Sequence, residues 1–403
     1  MILLNKTILL GVTGSIAVYK AVGLASALTQ DGARVEVIMT RSAMEFVRPL
    51  TFQAITQRPV VTEMFELDAE SRVQHVTLGQ EADLLVIAPA SAHSIARLAW
   101  GLADDVLSCT VLSTAAPIIV APAMESHMYS NAATQENLGR LRARGFIIVE
   151  PEYGRLASGA MGQGRLAEEG TILEAIHRVL GARADLAGRR VIVTAGGTQE
   201  PIDPVRYISN RSSGKMGYAL AEAARDRGAQ VSLISAPTAI PCPAGVKLVR
   251  VETAEEMRQA VLADLPGSDV LVMAAAVADY RVAAAASQKI KRTAEELIVR
   301  LVRNRDIVGE ASSHSQRPKV VVGFAAESQD LVKNAQAKLA SKNLDLIVAN
   351  DITASDSGFG VDTNQVVLIG RDREPEALPL MPKRQVADRV WDAVVALLGS
   401  ARA

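Results

Sequence analysis

TILLGVTGSIA, residues 7–17, is the stretch that decides the fold. Thr7–Leu10 is a short aliphatic run, and a helical pattern takes over at Ala17–Thr29. Between them GVTGSIA (11–17) turns the chain, as a strand-to-helix junction does in a βα unit. Gly11 and Gly14 let backbone approach a ligand closely, and Ser15 puts a hydroxyl at a helix start, where amides and dipole favour phosphate. The same segment also serves as a tight turn with no ligand. It is not G-x-G-x-x-G, and that fingerprint occurs nowhere in the chain, which argues against a generic NAD dehydrogenase.

Outward from this junction the pattern repeats. Val35–Met39, Leu84–Ala88, Ile118–Ala121 and Phe146–Val149 read as strands, with Ser91–Trp100 and Asn131–Arg144 as helices between them. Near-continuous Val/Ile/Leu runs alternating with helices imply a parallel sheet covered on both faces. GARADLAGRR (181–190) breaks the series, and VIVTAGG (191–197) restarts it. Further strands are expected at Val231–Ile234, Val270–Met273, Lys319–Gly323, Leu346–Ala349 and Val366–Ile369, with helices at 215–227, 254–264, 328–342 and 384–398. The expectation is α/β, two doubly wound parallel-sheet (Rossmann-like) domains spanning 1–182 and 187–403.

Composition narrows the function. The 403 residues carry a formal net charge of −1 and are 22% charged and 3% aromatic. A nucleic-acid surface needs clustered Lys/Arg and stacking rings, so that class is set aside. Cys109 and Cys242 are far apart and lie outside any C-x-x-C spacing, which disfavours a disulfide scaffold or a zinc site. No apolar run approaches a membrane span, and the first residues read as a strand, so a cytoplasmic protein is expected.

In doubly wound sheets, ligands bind beyond the carboxyl ends of the strands. In the first half these ends carry Thr40 and Ser42 (MTRSA), Ser91 (APASAHS) and the loop PAMESHMY (122–129), with Met124, Glu125 and His127. Ser or Thr at a helix start is most often an N-cap, but three such ends in one sheet point to a phosphorylated cofactor. His75 precedes a helix. An unperturbed imidazole titrates near neutrality and can serve as a base, although a lone His is more commonly structural.

GVTGSIAVYK, HVTLGQEADLLVIAPASAHSIARLAWGLADD and PAMESHMY resemble the flavin-dependent cysteine decarboxylases. VTAGGTQEPIDPVRYISNRSSGKMG, AAAVADY, KIKR, GFAAES and KLASKNLDLIVANDI look like phosphopantothenate–cysteine ligase. Together they resemble the bifunctional family that joins the two activities in coenzyme A biosynthesis. The resemblance implies that 4'-phosphopantothenate, L-cysteine and CTP with Mg²⁺ give an acyl-cytidylate and then 4'-phosphopantothenoylcysteine. FMN-dependent oxidative decarboxylation would follow, giving 4'-phosphopantetheine. It also implies a homo-oligomer, with trimeric decarboxylase contacts, dimeric ligase contacts and flavin sites at subunit contacts.

By this resemblance His75 is the catalytic histidine of the first half, and Gly11, Gly14, Ser15, Thr40 and Ser91 belong to the cofactor site. Two departures stand out. The family writes P-A-M-N, with an Asn that binds the substrate carboxylate, where this chain has Glu125. An ionised Glu only accepts, and two carboxylates about 4 Å apart repel by roughly 4 kcal/mol at an effective dielectric of 20. Glu125 is therefore expected to be held protonated, to turn away while Ser126 or His127 serves, or to end substrate binding. LASGAMGQGR (156–165) resembles a lid written A-C-G, whose Cys supplies a proton; here that position is Ser158, a far weaker acid. Tyr153, water, or Ser158 in a relay would substitute. The alternative reading is a ligase whose first half is a flavin-binding scaffold or regulator.

In the second half, NRSSGKMG (210–217) is not a Walker A loop, since Ser209 stands where the first Gly belongs and Met216 replaces the Mg²⁺-holding hydroxyl. Its serines and Gly214 before a helix still suit an anion. The resemblance gives Asn210 a role in converting the acyl-cytidylate and Lys289 one in forming it. It places Ala275, Ala276 and Asp279 at the nucleotide, with Asp279 near ribose or metal. It sets Phe324 near the cytosine and Lys338 and Lys342, at i and i+4, on the triphosphate. Asp351 and the GFG turn (358–360) are expected to border the same pocket.

Overall fold

In the computed structural model the described residues are 2–64, 74–182, 184–291, 296–327, 330–351, 360–371 and 373–400. The chain divides into two compact units, Met1–Leu180 and Gly181–Ala403. Most of the GFG turn lies outside the described residues, as does the Asp351 side chain.

The first unit is built on strands β1 (Thr7–Val12), β2 (Arg34–Met39), β3 (Val60–Val61), β4 (Leu84–Ala90), β5 (Ile118–Pro122) and β6 (Ile147–Ile148). All pairs are parallel, in the order β3-β2-β1-β4-β5-β6. Without the two-residue edge strand β3 this is the flavodoxin order, which reverses direction between β1 and β4. Every residue of β1 and β4 is buried, because helices cover both faces. Ile8 and Leu10 face the core beneath α1 (Val18–Gln30) and a later helix at Glu169–Gly181. Leu9, Leu85 and Ile87 face the opposite core. That core lies beneath three helices, at Ala92–Trp100, Val106–Ser113 and Ala132–Ala143.

A two-stranded antiparallel hairpin, β7 (Glu152–Arg155) and β8 (Met161–Arg165), follows the sheet. Several short elements escape the sequence pattern, among them the helices at Arg41–Met44, Pro49–Thr56, Val106–Ser113 and Ser126–Ser130 and the strands β3, β7 and β8. None is long enough to develop a clear apolar period.

The second unit repeats the architecture. Its large sheet contains β9 (Arg190–Ala195), joined by the outlying hairpin β10 (Gln199–Pro201) and β11 (Tyr207–Ser209). Then come β12 (Gln230–Ser235), β13 (Lys247–Arg250) and β14 (Val270–Met273), a second outlying pair β15 (Tyr280–Val282) and β16 (Leu301–Arg303), and β17 (Val320–Glu327) and β18 (Leu346–Asp351). The core order is β13-β12-β9-β14-β17-β18, again reversing beside its first strand. The edge departs from the all-parallel expectation: Val366–Gly370 pairs antiparallel with β18, and Glu376–Ala377 continues antiparallel beyond it. Parallel pairing needs a crossover, usually a helix, and none separates β18 from Val366 among the described residues. Trp391, on the helix Lys383–Ser400, is fully buried and donates from Nε1 to the Leu220 carbonyl at 2.9 Å. No described helix is long and apolar enough to cross a membrane.

Candidate active sites at two switch points

The first site lies where β1 and β4 diverge. Thr13 is fully buried and bridges the gap. Its Oγ1 donates to the Pro89 carbonyl at 2.8 Å and accepts from Ser91 N at 2.8 Å. Ser91 then caps the following helix by accepting from Ser94 N. Beside it, Gly14 lies against the turn after β2, where an added Cβ would stand 2.5 Å from the Ser42 Cβ. Thr40, ending β2, has a buried Oγ1 with no hydrogen-bond partner. An orphaned buried hydroxyl is costly unless a ligand meets it. Ser15 Oγ accepts from Ala17 N at 3.3 Å and reaches the Ala123 carbonyl at 3.4 Å. These glycine-backed strand ends, with hydroxyls at helix starts, fit the phosphate of a flavin nucleotide.

The cavity in front of them has a volume of about 720 Å³. Ile16, Tyr19, Met124, Met128 and Leu156 make its walls largely apolar, as a ring system requires, while Lys20, Arg155 and Arg165 add positive charge. Gly14, Ser15, Ser91, Glu125 and Ser158 also line it. Gly11 does not. It is a packing position within β1, where a Cβ would meet Leu107 at 2.6 Å. His75 is also outside this lining. It stands on the helix Gln74–Glu81, and its carbonyl accepts from Ser113 Oγ at 2.9 Å. Its buried Nδ1 has no partner.

Glu125 is the N-cap of the helix Ser126–Ser130. Its carboxylate accepts from Ser126 Oγ at 2.8 Å, His127 N at 2.7 Å and Met128 N at 3.3 Å. The Ser126 hydroxyl first, and then the two amides, hold it below the usual glutamate range. Its oxygens are engaged within its own turn, which favours the option of a Glu125 turned away over one held protonated. Helix and loop are anchored by Tyr129, whose hydroxyl donates to Glu150. Burial, together with this carboxylate, pushes the Tyr129 phenol up to about 12.

The hairpin docks directly on this loop. Met124 N donates to the Gly164 carbonyl at 3.0 Å. Gly164 has φ +142°, and an added Cβ would stand 2.2 Å from the Met124 carbonyl oxygen. A Cβ at Gly162 would come within 2.7 Å of the Ser126 Cβ. The turn at the other end closes through Gly159 N to the Leu156 carbonyl, and presents Ser158 exposed to solvent at the cavity.

The second site repeats the frame. Two buried threonines tie β9 to the loop after β14: Ala275 N donates to Thr194 Oγ1 at 3.1 Å and Ala278 N to Thr198 Oγ1 at 2.9 Å. Two adjoining cavities open here, of about 750 and 430 Å³. Ala275, Asp279 and Phe324 line both, so Asp279 stands on the shared wall. Lys338 and Lys342 line the larger, and Lys342 pairs with Asp306 at 3.2 Å. Ala276 and Asn210 line the smaller. Asn210 Nδ2 donates to the carbonyls of Ala276 and Val277, at 3.4 and 3.1 Å.

Sequence reasoning missed the basic side of the smaller cavity. Lys383 lines it while only 6% exposed, far from the recognisable motifs. Burial, then the ammonium of Lys215, lowers its pKa. Lys215 opens the helix Lys215–Asp226 behind Gly214 and binds Asp362 at 2.7 Å. Lys289 lines neither cavity; it is exposed on the coil between β15 and β16. Among the described residues no three His, Cys, Asp or Glu side chains gather as a metal cluster.

The first unit, with its phosphate-ready switch point and ring-sized apolar cavity, is of the flavoprotein class, and residues 3–181 match the family described as Flavoprotein. Residues 186–398 match the DNA/pantothenate metabolism flavoprotein C-terminal domain. The coenzyme A biosynthesis bifunctional protein CoaBC of Bacillus subtilis (strain 168) is 44% identical over 396 residues, covering 98% of this chain and 97% of that protein. The protein of the same name from Escherichia coli (strain K12) is 44% identical over 399 residues, covering 98% of each. A crystal structure of the C-terminal domain of such a protein is 38% identical with a TM-score of 0.47, covering 54% of this chain and 98% of that one. The chain belongs to the family of coenzyme A biosynthesis bifunctional proteins, and is a two-activity enzyme of that pathway.

Proposed function

We propose that the second unit ligates 4'-phosphopantothenate to L-cysteine with CTP and Mg²⁺, and that the first unit decarboxylates the product with FMN. The observation that carries this reading is the pair of switch-point sites, one apolar with phosphate-ready strand ends, the other polar and lysine-rich.

In the ligase the substrate carboxylate attacks the α-phosphorus of CTP and pyrophosphate leaves. The cysteine amine then attacks the acyl carbon and CMP leaves. Asp279, on the shared wall, would hold Mg²⁺ against the phosphates. Lys215, Lys383, Lys338 and Lys342 offset polyphosphate charge, and Lys289 stabilises the first transition state. Asn210, with both amide protons given to backbone carbonyls, keeps Oδ1 to accept from the incoming amine.

In the decarboxylase, Thr40, Ser15 and Ser91 would hold the FMN phosphate. FMN, when bound, would supply the electron sink for an oxidation of the cysteine moiety that allows CO₂ to leave. His75 is the base for proton removal, completed by a neighbouring subunit in a homo-oligomer. Lys20, Arg155 and Arg165 balance the anionic substrate that Glu125 cannot bind directly. Ser158, at the lid tip, relays a proton to the product.

The test is CO₂ release from synthetic 4'-phosphopantothenoylcysteine by the flavin-loaded protein, with His75→Asn beside it. Turnover is expected, with a loss of roughly 10²–10⁴-fold in the variant. Silence in both, with CTP-dependent ligation intact, would leave the first unit a flavin-holding scaffold or regulator.

A further inference from the structure

Lys289 lies on an excursion that leaves β15 at Ala283 and returns to β16 at Arg300. The base is closed by Ala283 N donating to the Arg300 carbonyl at 2.9 Å. A lysine on an untethered excursion samples a large volume, and its effective concentration at a reacting phosphate is correspondingly low. Other contacts fix this one. Ala286 N donates to the Ile202 carbonyl at 2.9 Å. Ile290, next to Lys289, is held on both sides of its backbone: its N–H donates to Asp203 Oδ2 at 3.1 Å, and its carbonyl accepts from Arg206 Nη2 at 3.2 Å.

Asp203 sits in the tip between β10 and β11 and is 3% exposed. Its Oδ1 accepts from Val205 N and Arg206 N, both at 2.9 Å. Its Oδ2 accepts from Arg206 Nε at 3.0 Å and Nη2 at 2.6 Å, besides Ile290 N. The Arg206 guanidinium above all keeps this carboxyl well below the usual aspartate range. The pair is thus a fixed fork, and its free edge grips both backbone polar groups of one residue as a neighbouring strand would. Lys289 lies between these two points of attachment, directly beside Ile290. The same hairpin runs from the tip through β11 directly into Asn210.

We infer that Asp203, with Arg206, is a positioning residue that holds Lys289 in reach of the nucleotide phosphates by clamping the Ile290 peptide. This rests on the ligase reading above and on the role given there to Lys289. One rigid tip then sets the placement of a group for each half-reaction: Lys289 through the clamp, and Asn210 through the strand.

The experiment follows pyrophosphate release without cysteine, which isolates acyl-cytidylate formation, in the full chain. Asp203→Asn keeps the volume and most contacts but weakens the grip. It is expected to slow release ten- to a hundredfold at saturating CTP, with CTP affinity unchanged within twofold. The double variant D203N/K289Q should be no slower than Lys289→Gln alone, because the clamp acts only through that lysine. Arg206→Lys, which cannot hold both Asp203 and the Ile290 carbonyl, should slow release in the same sense even if Asp203→Asn folds poorly. Unaltered release in both clamp variants, or losses that multiply in the double variant, would overturn the inference. Full-speed release by Lys289→Gln would instead overturn the reading of Lys289, and the clamp with it.

Discussion

The two switch points share a lock but differ in what it guards. In each unit buried threonine hydroxyls stitch the first strand's loop to its neighbour's: Thr13 in one, Thr194 and Thr198 in the other. In front of the first lies an apolar cavity covered by a hairpin. That hairpin is held by backbone-to-backbone approach at Gly162 and Gly164. In front of the second lie polar cavities with lysines, and the excursion beside them is held by an ion pair. A flat ring and a redox step call for a dry, tightly seated cover. Polyphosphate would call for cations set around a polar cavity. Contact by glycine tolerates no added atom; contact by Asp203 tolerates atoms but not the loss of charge.

The sharpest way to break this comparison is Gly164→Ala. A Cβ 2.2 Å from the Met124 oxygen cannot be placed without moving the hairpin. The expected cost is about 2–4 kcal/mol of first-unit stability, from forced shifts and the strained φ. Flavin retention and CO₂ release should collapse while CTP-dependent ligation persists; equal loss of both would erase the contrast. Next in size are Thr13→Val and Thr198→Val, each leaving a backbone N–H without its partner. Each should cost roughly 1–3 kcal/mol in denaturant unfolding of its own unit. Similar values would confirm a common lock.

Lys383→Met should weaken CTP binding about tenfold, or roughly 1.4 kcal/mol, in calorimetric titration. Unchanged affinity would mean the smaller cavity does not receive the phosphates. The smallest effect concerns Tyr129. Its phenol titrates higher in the folded state than in the unfolded chain, so its contribution to stability is whole below about pH 10 and fades as pH rises toward 12. First-unit stability should fall in that window, less so in Tyr129→Phe.

The frame of both sheets was legible because their central strands are continuous aliphatic runs followed by glycine or hydroxyl residues, as at 7–17 and 191–197. The antiparallel edge at Val366 was not, since a run of Val and Leu carries no direction. Gly14, Ser15 and Ser91 were legible because they sit at strand ends, whereas Asn210 and Asp279 came from the resemblance; all five line the cavities. Lys383 escaped notice because it starts a helix with no motif around it, and only the fold carries it into the cavity that Gly214 also lines. The state of Glu125 stayed open among three options, because a sequence shows a carboxyl where an amide is expected, but not the three donors that its own turn supplies.

The strand MGQGR has one further consequence, for how the chain can drift. Its residues alternate between exposed and buried, with Met161, Gln163 and Arg165 outward and the two glycines inward. Met161 and Gln163 face outward and accept many side chains, Arg165 also lines the cavity and is kept for its charge, and the inward positions accept only a hydrogen atom. Random variation across these five codons, followed by selection for flavin-dependent growth, should leave the two glycines fixed, position 165 basic, and positions 161 and 163 free. The cover of the first site can therefore change its solvent-facing surface while its footprint on the loop beneath stays fixed.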